Sequence, residues 1–404
     1  MITAFIKQGI NKVRSQSDEG THQTMIRLIL CFTLSILTSN AQAEPVQGFF
    51  FFGDSLTDSG YQNNNPIIKN IDKSPIWTSP NGHTWAYYFL QHYAKQYPHT
   101  HTGLLPNNKD AKTRYNPVPN NIIPNLDGNN FSAGGSTTEG PGVLNSKTYK
   151  APSLLDQIHY FTTSYAPQHH VAIAQQEYFI WSGSNNLMKK LVIEMTLENV
   201  LQKLYLGKPA AALHLFNFKK LSTRFSKTET QIADNLLTAV TSLKKVGAQR
   251  IVILLLPNMG DAPLIKTLSQ DLKKNGSNTL TTTEFSTQIG LVTQATNALI
   301  REKLRHEGVK FIDVNEILHP LIAMKTPGYF KETPQQFGGK KTFLITNHQT
   351  PACPPGEPAL TCIPTTENAI HYVFEDAIHP TDQTHQIIGD YVYYQTQLSV
   401  ASKQ

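Results

Sequence analysis

Three cysteines in 404 residues exclude a fold held together by a disulfide framework. Charged residues make up only 16% against 39% hydrophobic, a balance that excludes a disordered, self-repelling chain. Long apolar runs are missing apart from one, Met25–Ala43, which is too short and too rich in serine for a comfortable membrane-spanning helix. It ends in Ala41-Gln42-Ala43 ahead of Glu44, the pattern of a secretory signal cut after Ala43, and Met25-Ile26-Arg27 can itself serve as the start of that signal. Leu30 precedes Cys31 where a lipid-modified signal would need a small residue, so no lipid anchor is expected. Clusters of basic residues are absent beyond pairs such as Lys219-Lys220 and Lys340-Lys341. Loss of residues 1–43 lowers the net charge from +6 to +4, a mild excess that gives no strip for nucleic acid.

Metal and nucleotide signatures are lacking as well. His99, His101 and the His169-His170 pair have no cysteine or carboxylate set beside them, and Gly134-Gly135 and Gly338-Gly339-Lys340-Lys341 lack the spacing of a phosphate-binding loop. No metal and no cofactor is expected.

What is present alternates between strand and helix signals. Gly48-Phe-Phe-Phe-Phe52 is a buried strand that stops at Gly53-Asp54-Ser55, and Glu177–Trp181 is a second that stops at Ser182-Gly183-Ser184-Asn185-Asn186. Residues 84–93, 228–246, 282–306 and 382–398 carry helical spacing, and 250–256 and 309–313 are further strands. Residues 187–224 are helical without clear boundaries. This order predicts an α/β fold, a parallel sheet covered by helices on both faces, in one domain over 44–404. Between Met324 and Glu367 seven prolines interrupt any period, and the segment reads as a long insertion loop. It contains Cys353 and Cys362, which in an exported protein are expected to pair as a local staple worth about 2–3 kcal/mol.

Ser55 follows directly on a buried strand, at the edge where open parallel sheets bind ligands. Around it, Phe52-Gly-Asp-Ser-Leu-Thr-Asp-Ser-Gly60 resembles the first block of the GDSL (SGNH) hydrolase family. Asn81-Gly82 with Trp85, Asn130-Phe-Ser-Ala-Gly-Gly135, Gly183-Ser-Asn185-Asn186 and Asp376-Ala-Ile-His379-Pro380 resemble later blocks, in the family's order. The resemblance implies a three-layer α/β/α sandwich of flavodoxin-like type with a catalytic triad of Ser55, His379 and Asp376. It assigns the oxyanion hole to the amide of Ser55, the amide of Gly135 and the side chain of Asn185. The chemistry fits these residue types: a serine hydroxyl needs an imidazole to take its proton, and a carboxylate fixes the imidazole's tautomer. Asp382 is a rival for the orienting carboxylate, and Asp54 reads as an anchor of the turn. Asn186 stands where the family usually has aspartate, which predicts altered local hydrogen bonding without loss of activity.

The implied function is a secreted or periplasmic serine ester hydrolase acting on lipid. The nearest likeness is to exported phospholipase A, lysophospholipase and glycerophospholipid:cholesterol acyltransferase enzymes. Expected partners are a phospholipid or lysophospholipid, cholesterol as an acyl acceptor, and transient contact with a membrane surface. For acyl transfer the site needs cover from water, and the 324–367 loop is the expected lid. The rivals are a carbohydrate-ester deacetylase with a more polar cleft and a non-catalytic binding module on the same fold.

Overall fold

Four consecutive phenylalanines can be buried together only in a strand with helices on both faces, because alternate side chains point to opposite sides. The computed structural model has this arrangement. It describes residues 46–59, 77–79, 82–96, 129–143, 151–205, 221–274, 281–353 and 371–401. The signal segment, Asn81, His99, His101 and Cys362 lie outside them. Strands β1 (Gly48–Gly53), β2 (Gln176–Trp181), β3 (Arg250–Leu254) and β4 (Lys310–Ile312) pair in that order, all parallel.

On the free side of β1 the chain at 129–133 runs parallel to it. Phe51 N–H donates to Asn129 O, Phe131 N–H to Phe51 O and Ala133 N–H to Gly53 O, with one bridge at Asn130. This minimal fifth rung puts β1 in the interior of the sheet.

Among the described residues, the helices of seven residues or more are α1 (Trp85–Gln96), α2 (Leu154–Tyr160), α3 (Ser184–Tyr205), α4 (Leu221–Lys245), α5 (Pro263–Lys274), α6 (Thr282–Leu304), α7 (Asn315–Ala323) and α8 (Asp382–Ala401). Phe50, Phe52, Tyr178, Ile180, Ile251 and Ile253 pack against α2, α4 and α6. Phe49, Phe51, Phe179, Trp181, Val252 and Leu254 pack against α1, α7 and α8. The fold is therefore a three-layer α/β/α sandwich, as the alternation predicts. Helix α6 starts where it does because Thr281 Oγ1 accepts from Glu284 N–H while Glu284 accepts from Thr281 N–H, a reciprocal cap.

The segment after Met324 departs from the sequence reading. Where a structureless loop is expected, β5 (Gly328–Lys331) and β6 (Thr342–Ile345) form an antiparallel hairpin, with a helical turn at Pro334–Phe337 between them. Strands of four residues are too short to show a period, and the prolines fall outside them. The hairpin leans on α8, where Phe337 meets the Tyr391 ring at 5.7 Å. Helices α2, α5 and α7 are also absent from the sequence reading. Among the described residues, no helix is long and apolar enough to cross a membrane.

Candidate active site

The turn that carries Ser55 is fixed from three sides. Gly53 has φ +151°, and a Cβ there would lie 2.1 Å from Trp181 O, so β1 can turn against β2 only with glycine. Gln157 from α2 clamps the same residue: Gly53 N–H donates to Gln157 Oε1 at 2.9 Å, and Gln157 Nε2 donates to Gly53 O at 2.8 Å. Beyond it, Thr57 and Asp58 N–H both donate to Asp54 O, and Leu56 N–H donates to Asp54 Oδ1 at 3.1 Å. Asp54 is thus the turn anchor that the sequence predicts, and burial pushes its carboxyl up to about 7.

The last family block closes on this turn from the other end of the chain. His379 Nε2 lies 2.9 Å from Ser55 Oγ, and His379 Nδ1 lies 2.7 Å from Asp376 Oδ2. Asp376 Oδ1 accepts from Ile378 N–H at 2.8 Å and His379 N–H at 2.7 Å. Burial opposes a charge on Asp376, but the His379 ring and these bonds outweigh it and hold the carboxyl down at about 2. An ionised Asp376 at Nδ1 puts the ring proton there, which leaves Nε2 as acceptor for the serine hydroxyl. Trp77 packs on the imidazole with ring centroids 4.8 Å apart. All three polar residues are buried.

Asp382, the rival carboxylate, is engaged elsewhere. It accepts from His83 N–H at 2.6 Å and Tyr88 O–H at 2.5 Å, tying α8 to α1.

On the far side of Ser55, Asp58 Oδ2 accepts from Gly134 N–H at 2.7 Å and from Trp77 Nε1 at 3.2 Å, drawing the 130–137 block inward. Gly135 occupies the third position of the Ala133–Ser136 turn with φ +77°, the left-handed conformation such a turn requires of that position. Asn185, in the first turn of α3, donates through Nδ2 to Ser136 O at 2.8 Å and lines the same cavity as Ser55. The structure therefore gathers Ser55, Asp376, His379, Gly135 and Asn185 at one end of the sheet. Asn186 Oδ1 accepts from Thr138 N–H at 2.9 Å, and its Nδ2 donates to Thr138 Oγ1 at 3.1 Å. An aspartate could accept from both Thr138 N–H and the Thr138 hydroxyl, so the departure from the family pattern reverses the direction of the second bond and keeps the first.

Beside Ser55 and His379 opens a cavity of about 90 Å³ at the carboxyl ends of the strands. Met188, Met259, Leu318, Ile322, Phe374 and Ile378 form its apolar wall. Among the described residues, none after Ile322 and before Val373 lines it, and the hairpin of the 324–367 segment stands against α8; residues 354–367, the rest of the expected lid, lie outside the described residues. Cys353 is disulfide-bonded and buried, and its N–H donates to Glu375 O, next to Asp376. Among the described residues, no group of three His, Cys, Asp or Glu side chains could hold a metal.

Sequence reasoning missed Gln157 and Trp77, which touch the backbone or the ring of the predicted residues and carry no spacing signal of their own, and gave no role to Asp58, although it lies within the first family block.

The GDSL-like lipase/acylhydrolase family model matches residues 49–392. The chain is 25% identical over 376 residues to a GDSL esterase/lipase of Arabidopsis thaliana, covering 85% of this chain and 84% of that protein. It is 24% identical over 383 residues to the anther-specific proline-rich protein APG of the same plant, covering 89% of this chain and 63% of that protein. Among solved structures it is similar to an extracellular lipase from Streptomyces rimosus (13% identity, TM-score 0.36) and to phospholipase A1 from Streptomyces albidoflavus (10%, 0.37). Each alignment covers 87% of this chain and 99% of the other, and TM-scores this low carry no argument about substrate. The family match runs from the first phenylalanine of β1 into α8 and takes in Ser55 at one end and His379 at the other, so the chain belongs to the GDSL lipase/acylhydrolase family and is a carboxylic ester hydrolase.

Proposed function

We propose that the chain hydrolyses fatty acyl esters of phospholipid or lysophospholipid through an acyl-Ser55 intermediate. The observation that carries this reading is the apolar wall of Met188, Met259, Leu318, Ile322, Phe374 and Ile378 next to the Ser55–His379 pair, which suits an acyl chain and offers little to a sugar. Ser55 Oγ attacks the ester carbonyl as His379 Nε2 takes its proton. Asp376 stabilises the imidazolium and does not itself gain the proton. The oxyanion is met by N–H groups of Ser55 and Gly135 and by the Asn185 amide, each donor worth roughly 10²–10³ in rate. His379 then returns the proton to the leaving alcohol. A water, deprotonated by the same ring, attacks the acyl-enzyme and releases the fatty acid.

Acyl transfer to an alcohol such as cholesterol would use the same acyl-Ser55 intermediate, with the alcohol in the place of water. A disulfide at Cys353 suits a protein that works outside the cytoplasm, in line with the signal read at 1–43.

The test is lipid product analysis with phospholipid and lysophospholipid, with and without cholesterol, for the purified protein and its Ser55→Ala variant. Free fatty acid from the wild type alone is expected. Turnover of acetylated sugars without any fatty acid release would replace the lipid reading, and cholesterol ester would add acyl transfer.

A further inference from the structure

Exposed apolar side chains are scattered over most protein surfaces, but here they gather at one place. Among the described residues, six large apolar side chains are exposed: Val143, Val192, Ile193, Leu291, Tyr329 and Leu398. Three of these belong to α3 and to the loop strapped onto it. Val192 and Ile193 are 51% and 53% exposed, and Val143 is 39% exposed. Lys189 Nζ donates to Pro141 O at 2.9 Å, which holds the loop against the helix. Val143 N–H donates to Gly135 O at 2.8 Å, so that valine sits one hydrogen bond from the residue assigned to the oxyanion hole.

Helical spacing links this face to the cavity. Asn185, Met188 and Val192 stand at i, i+3 and i+7 of α3, on one stripe that rises about 10 Å along the axis. Asn185 and Met188 line the cavity, and the stripe continues from them out to Val192. Of the nearby charges, Lys189 lies beside the stripe, the acid Glu194 of α3 is neutralised by Lys190 and Arg224, and the one acid of the loop, Glu139, accepts from the Gln231 and Asn235 amides of α4.

We propose that α3 and the 139–143 loop are the face with which the enzyme docks on a phospholipid surface, bringing the cavity mouth to the lipid. This rests on the phospholipid reading above and adds where the surface is met. Val192 and Ile193 dip into the acyl boundary, Lys189 meets the headgroup phosphates, and a lipid passes along the α3 stripe to Ser55 without crossing open water.

The experiment compares the wild type with a Val192→Ser/Ile193→Ser variant, neither position lining the cavity. Binding to vesicles of phosphatidylcholine and phosphatidylglycerol is measured by co-sedimentation on a Ser55→Ala background. Turnover is measured on the same vesicles and on a monomeric, water-soluble short-chain ester. The double variant is expected to bind vesicles and to hydrolyse them about tenfold less well, from two half-exposed side chains lost to the interface. Turnover of the soluble ester should be unchanged. Equal vesicle binding by both proteins would overturn the docking face, as would an equal loss on vesicles and soluble ester. If the wild type binds and cleaves neither vesicles nor detergent-dispersed phospholipid while cleaving the soluble ester, the substrate reading itself fails and docking falls with it.

Discussion

The two sides of the sheet are built by different means. The layer of α2, α4 and α6 is packed mainly by apolar side chains, such as Ile158, Ile232, Leu236, Val240, Ile289 and Val292. The layer of α1, α7 and α8 has the same aromatic floor but is threaded by buried ionisable groups. Asp382 bonds to α1, His385 Nδ1 accepts from Trp85 N–H at 3.3 Å, and Asp390 bonds to His92 and Lys341. Burial drives the His385 imidazole down to about 3, so it stays neutral and serves as a hydrogen-bond acceptor for the start of α1. The polar layer is the one that must seat Asp376 and His379 opposite a serine from the other end of the chain. Hydrophobic contact alone is non-directional, whereas hydrogen bonds fix an orientation, which is what a triad needs. The apolar layer supplies most of the stability and, through Gln157, one clamp on the Ser55 turn, while the polar layer positions Asp376 and His379.

The largest expected effect tests that division at its centre. Asp376→Asn keeps the shape but removes the charge that fixes the His379 tautomer, and turnover should fall by about 10⁴. Because Asp376 is held at about 2, its own stabilisation is present above pH 4 and is lost as pH falls towards 2; the acid limb of a denaturation profile would show this contribution missing in the variant. Leu236→Ala, on the opposite layer, should do the reverse. It is expected to cost about 2–5 kcal/mol in chemical denaturation while the folded fraction keeps its specific activity. Loss of activity in proportion to stability at both positions would break the comparison. Between them lies Asp382→Ala, which leaves His83 N–H and Tyr88 O–H without their acceptor. It should cost about 2 kcal/mol and move KM or kcat by only a few-fold.

The same contrast decides what the sequence reveals. The apolar layer announces itself through period: Ile232, Leu236, Val240 and Leu243 recur at helical spacing, and α4 lies where they predict, starting a few residues earlier at Leu221. The site residues are legible because Ser55, Gly135, Asn185, Asp376 and His379 sit in short blocks at the ends of strands, where local sequence and local geometry coincide. Gln157 and Trp77 act on those blocks from elsewhere in the chain, and nothing near them in sequence marks the partner; Asp58 lies within the Ser55 block, but its partner Gly134 is some seventy-six residues away. The hairpin of β5 and β6 was hidden for a different reason. Each strand has four residues, with Tyr329 and Lys331 exposed and Phe330 half-buried, and the surface that holds the hairpin in place belongs to α8, some fifty residues away.

That junction gives the smallest effect and the finest test. Glu332 N–H donates to Lys341 O within the hairpin, and its carboxylate accepts from Lys341 N–H at 3.1 Å. Burial, together with the neighbouring charge of Asp390, pushes Glu332 up to about 7. An acid whose folded pKa is raised favours folding while protonated, so its contribution declines as pH rises from about 4.5 to about 7 and is flat beyond. Glu332→Gln removes that decline. The variant should match the wild type near pH 4 and exceed it near pH 8 by about 1 kcal/mol, the full linkage being reduced by solvent screening at the hairpin edge. Denaturation midpoints at the two pH values decide it. A variant that is less stable than the wild type at pH 8 would mean that Glu332 is held charged by Lys341, and that even this outlying contact of the polar layer is a satisfied ion pair.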